Sequence, residues 1–284
     1  MKILVLGASG MLGNAVFRFF NEDENYEAFG TLRSEYSKKN FPISMHSKLM
    51  SGIDVENIES LMRAFSEIKP ELVINCIGLV KQLTAAEDPL IAIPINSLLP
   101  HRLAMLCAVA GSRFVHMSTD CVFSGSKGMY LESDIPDARD LYGQSKFLGE
   151  VDYPHAITLR TSIIGHELEG GRSLVGWFLA QEQAVKGYKN AIFSGLPTVE
   201  IARLIRDYVI PNPHLHGLYH VSANPISKFD LLKMISKEYG RKIEINPDFD
   251  FVIDRSLDSG IFRSMTGFLP KTWPELIHAM RIFH

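Results

Sequence analysis

Short apolar runs alternate with helically spaced stretches along the first half of the chain. Lys2–Leu6 is an almost unbroken apolar run, the pattern of a strand buried on both faces. Met11–Phe20 has helical spacing, and Tyr26–Leu32 predicts a second strand. Val55–Ile68 predicts a helix and Glu71–Ile77 another buried strand. Pro94–Val109 is a long apolar helix, Arg113–Met117 a strand, Tyr142–Glu150 a helix and Ala156–Thr161 a strand. Strands alternating with helices predict an α/β fold, a Rossmann-type doubly wound parallel sheet covered on both faces. Beyond about residue 162 the rhythm loosens. Ile226–Tyr239 and Pro274–Ile282 are short helices between stretches containing Pro and Gly. They predict a smaller, mixed α/β C-terminal lobe. The expected division is a larger domain of residues 1–162, rejoined by about 190–212, and a lobe of residues 163–189 and 213–284.

The break between the first strand and the first helix reads "GASGMLG". Glycines at 7, 10 and 13 permit a tight turn and close backbone approach. The helix that follows offers the backbone N–H groups of Met11, Leu12 and Gly13 to an anion. This strand–glycine loop–helix context fits the pyrophosphate of a dinucleotide, with Gly7, Ser9, Gly10 and Gly13 lining it. A purely structural turn is the alternative. At the end of the second strand, where an NAD site carries an acid for the ribose hydroxyls, the chain has Arg33 and Ser34. A guanidinium suits a 2′-phosphate, so NADP(H) is the expected cofactor; an exposed surface arginine is the bland reading. Asp54 is either an adenine contact or a helix-start residue, with Val55 beside it. Cys76 and Ile77, at the end of the next buried strand, and Gly78 just after it are counted with the cofactor contacts, as is Asn96, whose bland reading is a helix-surface amide.

Composition narrows the partners. Hydrophobic residues make up 46% and charged residues 21%, ordinary for a globular protein. A net charge of -3 gives no basic field for nucleic acid or an anionic membrane. Three cysteines without framework spacing point to a reducing compartment. No uninterrupted apolar run reaches the roughly 18 residues of a membrane span. Glycines break the N-terminal run before an h-region forms, so a signal peptide is not expected. The expectation is a cytoplasmic protein. His214 and His216 in "NPHLHG" lack a third ligand nearby, and no residue is assigned to a metal.

Two further motifs carry chemistry. Ser118-Thr119-Asp120 follows a strand whose end belongs to the ligand crevice of an open parallel sheet. "YGQSK" sets Tyr142 and Lys146 four residues apart, on one helix face. A nearby ammonium favours phenolate and lowers a tyrosine pKa from its reference near 10. Such a tyrosine exchanges a proton with an alcohol oxygen near neutral pH. The Thr119 hydroxyl is a partner for the same oxygen. By itself, a Tyr–Lys pair at this spacing also reads as a solvated helix face.

Together with "NCIG", "STDCVFSG", "YGQSKFLGE", "LRTS", "LYHVS" and "RSLDSGIFRSMTGFLP", these motifs resemble the extended short-chain dehydrogenase/reductase family, across nearly the whole chain. "STDCVFSG", "LRTS" and "GLPTVEIARLI" are most similar to dTDP-4-dehydrorhamnose reductase and related sugar-nucleotide reductases. The resemblance implies Tyr142 as proton donor, with Lys146 as its partner and nicotinamide-ribose contact. Thr119 is then the third hydroxyl, and the C-terminal lobe grips a nucleotide sugar. The implied reaction is NADPH-dependent reduction of a 4-keto-6-deoxy sugar for cell-surface polysaccharide precursors. Similar dehydratases carry Glu where this chain has Cys121, which argues against a dehydratase or epimerase. A non-catalytic NADP-binding regulatory subunit of the same fold is the other alternative. The rhamnose reductases typically have Tyr at the Cys121 position and Trp at the Ile163 position. Smaller side chains there leave room for an N-acetyl group, so a UDP-2-acetamido-4-keto-6-deoxy-L-hexose rivals the dTDP sugar. Lys81, Gln82 and Arg172 are further candidate substrate contacts, each also readable as a solvated surface residue. The oligomeric state is open, with a homodimer as one candidate.

Overall fold

The computed structural model describes residues 1–81, 84–171 and 173–284. Strand β1 (Lys2–Leu6) leads into α1 (Met11–Asn21), β2 (Glu27–Thr31) and β3 (Leu49–Met50). Then come α2 (Ile58–Ile68), β4 (Leu72–Asn75), α3 (Pro89–Ala92), α4 (Leu99–Ala110), β5 (Arg113–Thr119), α5 (Leu141–Leu148) and β6 (Ala156–Thr161). With the strand Gly217–His220 at one edge, the sheet runs 217–220, β6, β5, β4, β1, β2, β3. The pairings β1–β2, β1–β4, β2–β3 and β4–β5 are all parallel. The chain moves outward from β1 to β3, then returns to the other side through β4. The switch point therefore lies between β1 and β4, and the loops leaving those strands border the crevice.

Central strands bury both faces, which is why they read as continuous apolar runs. Ile3, Leu4, Val5 and Leu6 are fully buried. Leu4, Leu6, Leu61, Phe65, Val73, Leu103, Cys107 and Phe114 form one core cluster. Local chemistry sets the helix ends. The Asn57 side chain accepts from the N–H groups of Glu59 and Ser60 and caps α2, and Lys69 ends it in the left-handed region. The helix predicted from Val55 thus begins three residues later, and Asp54 and Val55 lie in the preceding turn. Gly111 closes α4 at φ 69°.

The apolar helix expected over Pro94–Val109 is longer and not uniform. It runs Pro89–Ala110, with a wide π turn at Ile93–Leu98 between α3 and α4. Pro94 has no N–H, and its carbonyl takes the N–H of Leu99, five residues on. The wide turn buries Asn96 and Ser97 together. By length and mean hydropathy of 1.4, Pro89–Ala110 is long and apolar enough to cross a membrane. Here Leu99, Leu103, Ala104 and Cys107 belong to the core cluster under the sheet, which accounts for the apolarity.

The chain divides into two compact units. Unit 1 is residues 1–118, 140–159 and 213–218; unit 2 is residues 119–139, 160–212 and 219–284. The chain changes unit after residues 159 and 212, near the expected 162 and 212, but 190–212 lies in unit 2, 213–218 in unit 1, and 119–139 leaves unit 1. Unit 2 has short parallel pairs, Ile163–Ile164 with Leu196–Pro197 and Val185–Tyr188 with Ile245–Asp248. A three-stranded sheet is centred on Ala191–Phe193, beside helices Thr198–Leu204, Lys228–Glu238 and Trp273–Ile282. The helix expected from Ile226 begins at Lys228, because Ile226–Ser227 pairs as a strand.

Candidate active site

In unit 1, the glycine loop is held tightly. Gly7 sits at φ 83°, and a Cβ there would meet Ile77 Cγ1 at 2.7 Å. A Cβ on Gly13 would run into the Gly7 carbonyl. The Gly7 N–H donates to Thr31 Oγ1 at 3.1 Å and the Ala8 N–H to the Thr31 carbonyl at 3.1 Å. Gly30 completes this packing: a Cβ there would lie 2.8 Å from Ala8 Cβ. Helix α1 opens at Gly10 with no side-chain cap and no acid in its first turn. Its first N–H groups and positive dipole end are available to an anion, as a dinucleotide pyrophosphate requires.

Past β2, Arg33 and Ser34 are exposed. The Ser34 hydroxyl accepts from the Tyr36 N–H at 3.2 Å, opening a 3-10 turn. Asp54 is exposed and accepts from the Glu56 N–H at 3.1 Å. Asn57, not Asp54, starts the helix. The glycine cradle, the uncapped α1 and the exposed guanidinium at the end of β2 fit a dinucleotide with a 2′-phosphate.

Cys76–Gly78 follow β4. Burial pushes the Cys76 thiol up to about 12, so it is a neutral packing group. Asn75 Oδ1 accepts from the Ile77 N–H at 3.1 Å, and Asn96 Oδ1 from the Leu79 N–H at 3.0 Å. Asn96 Nδ2 donates to Ser145 Oγ at 3.1 Å. Asn96 thus spends both ends of its amide on protein partners, one on the turn after β4 and one on α5.

Helix α5 carries the tyrosine–lysine pair. Asp140 caps it by accepting from the Gly143 N–H at 2.9 Å and pairs with Lys81 Nζ at 2.8 Å. Lys81 is exposed. Tyr142 is half-buried in the first turn and Lys146 is buried one turn later, on the same face. Lys146 Nζ donates to the Met117 carbonyl on β5 at 2.8 Å. Burial lowers its pKa from 10.5 to about 8, opposed by the negative charge of Glu150. A Cβ on Gly78 would lie 3.5 Å from both Lys146 Nζ and Asn96 Oδ1, so these residues share one corner of unit 1.

In unit 2, Thr119 is buried; its hydroxyl donates to Asp120 Oδ1 at 3.2 Å and accepts from the Cys121 N–H at 3.2 Å. Burial raises the Asp120 carboxyl, opposed by Arg255 and by hydrogen bonds from Cys121, Thr119 and Ser162. Arg255 donates to the Phe123 carbonyl at 2.8 Å and lies 3.8 Å from Cys121 Sγ. Ile163 is half-buried and pairs with Leu196. Arg172, and Gln82 beside Lys81, lie outside the described residues. Nearby, Arg160 is almost fully buried, donating to His220 Nε2 at 2.9 Å. Burial, then the charge of Arg160, lowers His220 to about 4, so its neutral ring can accept.

Sequence reasoning passed over Thr31, Gly30, Asn75 and His116. The last two had a visible signal: Asn75 ends the apolar run of β4, and His116 sits between Val115 and Met117 in the buried middle of β5.

The family model described as RmlD substrate binding domain matches residues 1–249. The probable low-salt glycan biosynthesis reductase Agl14 of Haloferax volcanii is 31% identical over 182 residues, 62% of this chain and 58% of that protein. The chain thus matches under two thirds of that relative's length. Methionine adenosyltransferase 2 subunit beta of Danio rerio is 27% identical over 252 residues, 84% of this chain and 74% of that one. Among solved structures, dTDP-4-dehydrorhamnose reductase from Bacillus anthracis in complex with NADP has a TM-score of 0.79 at 24% identity. It covers 99% of this chain and 98% of its own. At that identity the likeness speaks for the fold.

Proposed function

We propose that this chain, which belongs to the RmlD substrate binding domain family, is an NADPH-dependent reductase of the 4-keto group of a nucleotide-linked 4-keto-6-deoxy sugar. The setting proposed is synthesis of a cell-surface glycan precursor in the cytoplasm. The observation that carries the reading is the buried Lys146 ammonium, fixed to the Met117 carbonyl one helical turn from Tyr142. Bound NADPH supplies a hydride to the carbonyl carbon. Gly7, Ser9, Gly10 and the first turn of α1 hold its pyrophosphate, and Arg33 with Ser34 holds the 2′-phosphate. Tyr142 gives a proton to the carbonyl oxygen. Lys146 favours the phenolate that remains, and a pKa of about 8 lets it exchange protons near neutral pH. Thr119 is the third hydroxyl that the family resemblance implies; to donate to the carbonyl oxygen its O–H turns away from Asp120 Oδ1.

Cys121 and Ile163, with Lys81 and Arg172, are proposed to bound the sugar nucleotide. The small side chains of Cys121 and Ile163 leave a UDP-2-acetamido sugar as a candidate substrate beside a dTDP-4-keto-L-rhamnose-like one. A second reading is a non-catalytic NADP-binding subunit, favoured by the similarity to methionine adenosyltransferase 2 subunit beta over 84% of this chain. Oxidation of NADPH at 340 nm, with dTDP- and UDP-linked 4-keto-6-deoxy sugars and Tyr142→Phe as control, separates the two. Turnover lost in the variant supports the reductase. NADPH binding without turnover on either sugar supports the subunit.

A further inference from the structure

His116 is a wholly buried histidine on β5, within unit 1, to which the proposed reaction gives no task. Its ring stacks near Phe114, with centroids 6.2 Å apart and planes inclined by 20°. Its Nδ1 lies 3.1 Å from Asn75 Nδ2. The Ile77 N–H can only donate, so the oxygen of the Asn75 amide must face it and the NH2 must face His116. An amide NH2 also only donates. His116 Nδ1 therefore accepts, and the single ring proton sits on Nε2. That Nε2–H has no hydrogen-bond partner among the described residues. Burial, then the charges of Lys146 and His101, holds the ring well below the ordinary histidine range, so it stays neutral.

A buried donor without a partner is destabilising. Phenylalanine would fill the same slot and remove that donor, but it would leave the buried Asn75 NH2 without its acceptor. What histidine adds is the acceptor at Nδ1. Without it, the buried Asn75 NH2 has no acceptor there, the amide loses one of its two anchors, and the Oδ1 that accepts from the Ile77 N–H is held less firmly. The N–H groups on either side of Gly78 are held by two amides, Asn75 at Ile77 and Asn96 at Leu79. Between them, a Cβ on Gly78 would lie 3.5 Å from the Lys146 ammonium.

We propose that His116 is a positioning residue: through Asn75 it sets the turn that presents Gly78 beside Lys146 at the nicotinamide end of the cofactor site. The cofactor part of this statement rests on the function proposed above. The test uses the full chain with two substitutions. In His116→Asn, the amide oxygen stands near the place of Nδ1, so the acceptor stays while most of the ring volume goes. In His116→Phe, the volume and the stacking on Phe114 stay while the acceptor goes. Thermal unfolding, hydrogen exchange at the Ile77 amide and NADPH titration by fluorescence are measured on each.

The expected result is that Ile77 exchange and NADPH affinity follow the acceptor and not the overall stability. His116→Phe trades one unpartnered buried donor for another and stays near wild-type stability, yet exchanges Ile77 and releases NADPH about tenfold more readily, the worth of one hydrogen bond. His116→Asn is less stable but keeps both properties near wild type. Unchanged Ile77 exchange and NADPH affinity in His116→Phe overturn the proposal by themselves, whether or not the asparagine variant folds. Should the wild type bind no NADPH while Ile77 exchange follows the expected order, the turn-setting role stands and the cofactor reading falls.

Discussion

Replacing Lys146 with Met removes the ammonium and keeps an unbranched, mostly apolar chain of similar length. In the wild type the ammonium is buried, and burial lowers its pKa from 10.5 to about 8. The unfolded chain holds the proton at the ordinary value. Between pH 8 and 10.5 the unfolded state therefore carries more protons than the fold, and stability rises with pH through that window. At pH 7 both states are protonated, and the full penalty of about 3 kcal/mol is present. By pH 10 about 1 kcal/mol of it remains. Wild type should gain about 2–3 kcal/mol over Lys146→Met between pH 7 and pH 10, the other titrating groups cancelling because both proteins carry them. Urea unfolding of the two proteins at both pH values reads this difference without any ligand. Parallel stability profiles would refute the buried-ammonium argument. The absolute stability of the variant is a poorer readout, because the Met117 carbonyl also loses its donor. With substrate, the same variant should lose about 10²–10⁴-fold in kcat, the usual scale of positioned proton transfer.

Gly13→Ala drives a methyl into the Gly7 carbonyl; it should cost about 1–3 kcal/mol of stability and weaken NADPH at least tenfold, read by unfolding and titration. Arg33→Ala should weaken NADPH by about tenfold or more while leaving NADH affinity unchanged, since only the 2′-phosphate loses a charge-assisted bond. Equal losses for the two cofactors would remove Arg33 from that role. Asp140→Ala takes the cap from α5; about 1 kcal/mol of stability should go with it, and kcat should fall because Tyr142 lies in the first turn. Lys81→Ala, which breaks only an exposed ion pair with the same residue, should change stability by under about 1 kcal/mol.

The parts of this protein readable from its sequence are those built by neighbours along the chain. The run Lys2–Leu6, the glycines at 7, 10 and 13 and the helix behind them depend on local backbone freedom and apolar periodicity, and the structure has them at the expected residues. The Tyr142–Lys146 spacing needs only one helical turn. The alternation of strands and helices is enough for a parallel sheet, because parallel strands require crossovers. Even the polar residues inside apolar strands, Asn75 and His116, were visible as anomalies.

What those anomalies do was decided by contacts between distant segments. Asn75 meets His116 across 41 residues, and Asn96 meets Ser145 across 49. Pairing of β4 with β5 sets the first contact, and the wide turn at Pro94 the second. The burial that lowers the Lys146 pKa comes from the same packing; nothing in "YGQSK" distinguishes a buried lysine from a solvated one. The place of residues 119–139 likewise escaped linear reading. Residues 119–139 join unit 2 because Asp254 and Arg255 bond to the Gly125 and Phe123 carbonyls, and Tyr130 bridges to Leu257. Periodicity and turn chemistry act over one or two turns of chain, so they specify elements. Which elements share an interior, and which charges lose their water there, follows from packing across scores of residues.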